Sequence, residues 1–368
     1  MMTKRSGILM LIAVLMLSLL AACGQGNNEN GEATNTQSEN QNEAAANGHN
    51  DEENTDSATD SNEKKEKQKV TVVLDWTPNT NHTGLYVAQA NEYYEEAGLE
   101  VEIIQPGDAG AANLVAAGQA DFGVSYQEEV TYARTGSELP IVSIAAVIQH
   151  NTSGFAAPVE KNIKSPKDFE GKTYGGWGSP VEEQVMDSLM RTEGADVSKV
   201  DFISLGDSDF FAATERDIDF AWIFYAWTGI EAELRGKSID MIYLQDYAEE
   251  LDYYTPVLIT NENLIAEQPE LVQSFMNATT EGYEFAMREP DKAAEILIEA
   301  EPELNAELVK ASQEWLADQY QADAPRWGEQ KESVWNNYTQ WMLDNELLEK
   351  PMDISKAYTN DFLPAQGE

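Results

Sequence analysis

The chain has 368 residues, a formal net charge of −43 and a single cysteine, Cys23. So negative a surface is repelled by nucleic acid and by anionic membrane surfaces, which argues against either as a binding partner. One cysteine excludes an internal disulfide and any thiolate metal cluster.

In chain order, Lys4 and Arg5 precede an apolar run over residues 8–20, and Ala21 and Ala22 lead into Cys23. Charged, apolar and small-residue segments in that order form a secretory signal over residues 1–23, too short an apolar run to span a bilayer of roughly 20 residues. Leu20-Ala21-Ala22-Cys23 resembles the bacterial lipobox. The resemblance implies lipidation of Cys23 and a protein held by that lipid to the outer face of the cell membrane. Residues 24–68 are polar and acidic with almost nothing to bury, and are expected to form a disordered tether.

The folded body begins with a β-branched run at 70–74, a buried strand that ends at Asp75. A turn-rich loop over 76–84 follows, then helical spacing over 85–96, a strand at 99–104, a small-residue helix at 109–118 and strands at 120–125 and 141–148. Residues 150–154 read as a crossing into a second βα series. That series has a strand into a Gly-rich turn at 173–176, a helix start at Ser179-Pro180, and strands at 220–224 and 241–244. Residues 256–259 would return to the first lobe, and the remainder is helical. The expected organisation is therefore lobe 1 over 69–153, lobe 2 over 154–255, and a return to lobe 1 with the C-terminal helices over 256–368. Strands alternating with helices imply a largely parallel α/β fold, with ligands at the carboxyl ends of strands.

That rule places Asp75, Trp76, Ser125, Tyr126 and Gln127 at a pocket. Asp75 offers an acceptor and Trp76 a stacking plate, which together suit a flat ring bearing an amino group; a turn-capping Asp and a core Trp are the plainer alternative. Asn79 and His82 complete the first cluster. His82 has no second ligand at metal spacing, so no metal site is expected there. The Gly175–Glu183 segment lacks the Lys and Ser/Thr of a phosphate loop. Glu182 and Glu183 fall in a first helical turn, where the helix dipole favours carboxylates without any ligand. Tyr225 and Trp227 follow a buried strand and are the second series' aromatic candidates, whereas Trp222 within that strand is assigned to the core, as are Trp315, Trp327, Trp335 and Trp341 to packing. No nucleophile motif of the G-x-S-x-G or H-E-x-x-H kind is present.

The stretch Leu74-Asp-Trp-Thr-Pro-Asn-Thr-Asn-His-Thr-Gly-Leu-Tyr-Val-Ala88 resembles the solute-binding proteins for thiamin pyrimidine precursors, such as formylaminopyrimidine, and the related yeast pyrimidine synthases. Residues 114–122 and 221–229 fit the same superfamily. The resemblance implies a type II periplasmic-binding-protein fold, two α/β lobes with a hinge and a ligand cleft between them. It further implies a monomer that passes an aminopyrimidine to the permease and ATPase of an ABC importer, with no cofactor and no catalysis. Carried onto this chain, the pocket residues are Asp75, Trp76, Asn79, His82, Tyr126, Gln127, Trp177, Glu182, Tyr225 and Trp227. Glu182, or Glu183 in its place, would accept the pyrimidine's exocyclic amine. The synthases bear a cysteine-rich iron motif that this body lacks, so His82 is expected to be a ligand contact. A riboflavin- or sulfonate-type ligand, and an extracellular pyrimidine-processing enzyme, are the alternatives.

Overall fold

The computed structural model describes residues 67–107, 109–206 and 208–365. Cys23, the signal and residues 24–66 lie outside the described residues. In chain order the described strands are β1 (Gln68–Val73), β2 (Leu99–Ile104), β3 (Phe122–Ser125), β4 (Ile141–Ala146), β5 (Ser153–Pro158), β6 (Thr173–Gly176), β7 (Asp201–Ser204), β8 (Phe220–Phe224), β9 (Ile239–Tyr243) and β10 (Val257–Asn261). They form two five-stranded sheets, ordered β2-β1-β3-β10-β4 and β7-β6-β8-β5-β9. In the first, β1 runs parallel to β2 and β3, while β10 is antiparallel to β3 and β4. The second repeats the pattern, with β6 parallel to β7 and β8, and β5 antiparallel to β8 and β9. The parallel trios are the βα units that the hydrophobic pattern announces. The antiparallel members are the two strands, β5 and β10, by which the chain arrives from the other sheet.

Each sheet has its own core. Val70, Val72, Leu74, Phe122 and Leu258 pack under Phe275, Met276 and Tyr283 in one; Phe155, Phe169, Tyr174, Phe220 and Trp222 pack against Val185, Met186 and Leu189 in the other. The expected helix over 85–96 is two helices, Thr83–Ala90 and Tyr93–Glu96, because Glu92 takes a left-handed conformation with φ of 63°. Thr83–Ala90 crosses the long helix Pro269–Arg288 at a glycine contact, where a Cβ on Gly282 would lie 2.1 Å from the Gly84 carbonyl oxygen.

The connections between the sheets lie side by side. The Asn151 amide nitrogen donates to Asp252 at 2.8 Å, its side-chain amide donates to the Leu251 carbonyl at 2.9 Å, and His150 Nδ1 meets Asp252 at 2.6 Å. The Asp252 carboxylate holds the His150 imidazole above its ordinary value. The C-terminal helix Glu332–Asp344 does not belong to the first lobe alone. Trp335 is packed in a cluster with β1, β4 and β10 residues, whereas Tyr338, Trp341 and Met342 are packed with the second sheet. Trp341 Nε1 donates to Ser188 Oγ at 2.9 Å. Helical periodicity shows that this helix has a buried stripe, and the tertiary fold divides that stripe between two cores.

Candidate functional site

Candidate residues stand at four strand ends. Asp75 and Trp76 follow β1, Tyr126 follows β3, Trp177 follows β6, and Trp227 lies in the single π-helical turn Tyr225–Gly229 that follows β8. Each stands just beyond the carboxyl end of a strand, where an α/β sheet opens a crevice. A cavity of about 280 Å³ is lined by Trp76 from the first lobe and by Trp177, Trp222, Trp227, Asp209 and Glu231, among others, from the second. Trp76 and Trp177 are 52% and 50% exposed, far more than large aromatics usually are. Exposed indoles lining one cavity are stacking surfaces for a flat ring. No lysine or arginine is among the residues lining this cavity.

Asp75 is aimed by its neighbours. The Asn79 amide nitrogen donates to His82 Nδ1 at 3.2 Å, which leaves the proton on Nε2, and Nε2 lies 2.6 Å from Asp75 Oδ1. One carboxylate oxygen of Asp75 is thus fixed. His82 is fully buried, so it reaches the site through Asp75 and not by direct contact as expected. Asn79 is occupied as the cap of the short turn Thr80–His82, accepting from Asn81 N at 2.9 Å and donating to the Thr77 carbonyl at 2.9 Å.

Glu182 also sits differently from expectation. It is only 2% exposed, and its carboxylate accepts from Tyr174 Oη at 2.7 Å and from the amide nitrogens of Trp177, Gly178 and Ser179 at 3.1, 2.7 and 2.6 Å. The helix Pro180–Thr192 begins with a capping box of Ser179 and Glu182, so this carboxylate is spent on shaping the loop that carries Trp177. Gly176 makes room for it, since a Cβ there would lie 1.8 Å from Glu182 Oε2. Glu183 is exposed. Gln127 is fully buried and ties the lobe junction, accepting from Tyr254 N at 2.9 Å and donating to the Val334 carbonyl at 3.2 Å. Tyr225 packs against Tyr243 and Trp315, with its hydroxyl on Glu233. The cavity lining therefore brings Trp76, Trp177 and Trp227 together with Trp222, which the strand pattern had assigned to the core; Asp75 and Tyr126 are not among the lining residues, and Asn79, His82, Gln127, Glu182 and Tyr225 are engaged by their own neighbours.

The charge of the site is negative. Burial pushes the Tyr126 phenol up, and the neighbouring carboxylates of Glu129, Glu128 and Asp75 push it further. Ser125 Oγ donates to Glu129 at 2.5 Å, and Glu129 is itself raised, by burial first and also by Asp75. Glu128, in the first turn of the helix Gln127–Thr135, is pushed up to about 7, chiefly by burial, with Glu129 and Glu182 adding to it and Tyr338 offsetting part. A carboxyl raised on folding makes the folded state the better proton binder between its unfolded value of 4.5 and about 7. Stability conferred by the protonated form is therefore present below pH 4.5 and is lost as pH rises through 7. Glu128→Gln is expected to flatten that slope and to stabilise the protein at pH 8 by about 2–3 kcal/mol, read from urea denaturation at a series of pH values. An unchanged pH dependence in the variant would contradict the assignment.

Among the described residues no group of three or more His, Cys, Asp or Glu is placed to hold a metal ion, and no helix is long and apolar enough to cross a membrane.

Two five-stranded α/β sheets joined by paired connections, with an aromatic cleft at their strand ends, define the two-lobe periplasmic-binding-protein fold. The fold matches that of the periplasmic aliphatic sulphonate binding protein SsuA from Escherichia coli with a TM-score of 0.63 at 13% identity, covering 82% of this chain and 94% of that one. The NMT1/THI5 like family matches residues 79–293, and the chain belongs to that family. It is 30% identical over 302 residues to a formylaminopyrimidine-binding protein of Halalkalibacterium halodurans, covering 80% of this chain and 90% of that protein. It is 26% identical over 303 residues to a 4-amino-5-hydroxymethyl-2-methylpyrimidine phosphate synthase of Legionella pneumophila, covering 81% and 93%.

Proposed function

We propose that this chain is the extracytoplasmic binding component of an ABC importer, anchored through a lipid on Cys23, and that it captures an unphosphorylated aminopyrimidine. The observation that carries this reading is the composition of the cavity lining: indoles from both lobes, the carboxylates of Asp209 and Glu231, and no lysine or arginine. A neutral, flat ring stacks between Trp76 and Trp177, and its exocyclic amine donates to the free oxygen of Asp75. Sulfonates and phosphates are disfavoured, because an anion brought to Asp209 and Glu231 meets repulsion with no counter-charge in the lining. At about 280 Å³ the cavity lies at the small end of ligand pockets, which run from about 300 to 1,000 Å³. That size suits one ring with short substituents better than a three-ring flavin with its polyol chain.

The likeness to a phosphate-forming synthase favours a second reading, an enzyme of pyrimidine chemistry. Binding without turnover is the preferred reading because the lining offers stacking and hydrogen-bonding groups but no nucleophile paired with a base. The experiment is mass spectrometry of small molecules released from the purified protein, followed by incubation with the molecule found. Recovery of an intact aminopyrimidine that stays unchanged supports capture. A phosphorylated or chemically altered product accumulating on incubation would replace it with the enzyme reading.

A further inference from the structure

Among the described residues the buried tryptophans are Trp222, Trp327, Trp335 and Trp341. Three of them donate their indole proton: Trp327 to the Val147 carbonyl at 3.1 Å, Trp335 to Gln330 Oε1 at 3.3 Å and Trp341 to Ser188 Oγ at 2.9 Å. Trp222 is the exception. Its Nε1 is buried with no hydrogen-bond partner in the protein, although the residue is 9% exposed and lines the cleft cavity. A buried donor left unmatched costs about 1–3 kcal/mol, so its retention needs an explanation. Packing does not supply one. Trp222 lies opposite Phe155 in the β5–β8 register and joins a cluster of Phe155, Phe169 and Phe220, where a phenyl ring would fill the strand position without a proton to satisfy.

The ring stands against Trp177, with centroids 5.3 Å apart and planes at 52°. Trp177 is half exposed on the cavity wall, held there by the loop that Glu182 shapes. Trp222 thus lines the cavity as the inner neighbour of Trp177 and carries an unmatched donor. We propose that the Trp222 indole N–H is a specificity-determining hydrogen-bond donor to an unprotonated ring nitrogen of the bound heterocycle. This rests on the reading of the cleft as an aminopyrimidine site and sharpens it. With Asp75 accepting from the ligand and Trp222 donating to it, the cleft selects a ring that bears both an amine and an in-ring acceptor. A carbocyclic amine of the same shape meets the stacking walls and Asp75 but leaves Trp222 unmatched, and so binds less tightly.

The test is titration calorimetry of wild-type and Trp222→Phe protein with two probes: 4-amino-5-hydroxymethyl-2-methylpyrimidine, and the benzene analogue with both ring nitrogens replaced by CH. Wild type should prefer the pyrimidine. Trp222→Phe should weaken pyrimidine binding about 10-fold and leave the analogue's affinity unchanged, the loss expected of one hydrogen bond. An unchanged pyrimidine affinity, or an equal loss for both probes, would overturn the donor role while leaving the site reading intact. Failure of wild type to bind the pyrimidine would overturn both. Should the phenylalanine variant misfold, the indole proton resonance of Trp222 in wild-type protein decides: it should move downfield when the pyrimidine is added and stay in place with the analogue. No movement with the pyrimidine rejects the proposal.

Discussion

Glu182→Ala is expected to destabilise the protein by about 3 kcal/mol or more and to weaken ligand binding at the same time. The carboxylate is 2% exposed and accepts from one phenol and three amide nitrogens. Removing it strands those donors in a buried pocket, at about 1–3 kcal/mol for each one left unmatched. The space left beside Gly176 adds a cavity cost. Two of the stranded amides belong to Trp177 and Gly178, so the loop bearing the second stacking wall loses its anchor. Chemical denaturation measures the first effect and ligand titration the second. Glu182→Gln keeps the volume and part of the acceptor capacity, so its stability should fall between wild type and the alanine variant. A Glu182→Ala protein with wild-type stability and weakened binding would instead mean that the carboxylate contacts the ligand, as the family resemblance implies.

Trp76→Ala should show the opposite balance. The side chain is 52% exposed, so little stability rides on it, within about 0.5 kcal/mol. As a stacking plate for a heteroaromatic ring it is worth about 1–3 kcal/mol, by analogy with base stacking on aromatic side chains. Affinity should fall roughly 10- to 100-fold while the melting temperature stays near wild type, and Trp76→Phe should recover most of the loss. Equal affinity in wild type and the alanine variant would remove Trp76 from the site. The pair of variants separates a residue that touches ligand from one that builds the wall.

The difference between those two residues also marks how far the sequence could be read. Strand-end position pointed to Asp75, Trp76, Tyr126 and Trp227, because the end of an apolar run is visible in the residues themselves, and of these Trp76 and Trp227 line the cavity. The family resemblance added Trp177. What a one-dimensional pattern could not supply was the direction in which a polar side chain spends its hydrogen bonds. Asn79, Gln127 and Glu182 lie beside the cleft in sequence, yet each is consumed by backbone groups behind it. For Glu182 a signal existed: Ser179 and Glu182 have the spacing of a capping box, which already committed the carboxylate to the loop. Trp222 lies in the expected strand and packs in the core. Its unmatched indole proton shows only once its neighbours are in place.

Fold-level misses have similar causes. β5 is a Ser-Gly-Phe-Ala-Ala-Pro strand with few β-branched residues, stabilised by β8 and β9 on either side and not by its own propensity. β7 is a short edge strand with no fully buried residue, so its pattern carries little contrast. The helix Glu332–Asp344 presents an ordinary apolar stripe, and nothing in its period says that Trp335 faces one core and Tyr338 the other. That helix and the paired connections join the two lobes, an arrangement suited to closure about a ligand.

The central claim is that the cleft selects a neutral, amine-bearing heteroaromatic ring, and competition binding tests it most directly. Tryptophan fluorescence of the purified folded body is titrated separately with formylaminopyrimidine, riboflavin and an alkanesulfonate, and each is then used to displace the others. Saturable quenching by formylaminopyrimidine that neither competitor displaces is the predicted result. Saturable binding of the sulfonate, or of riboflavin alone, would contradict the account, because the cleft as described has neither the cation for one nor the room for the other.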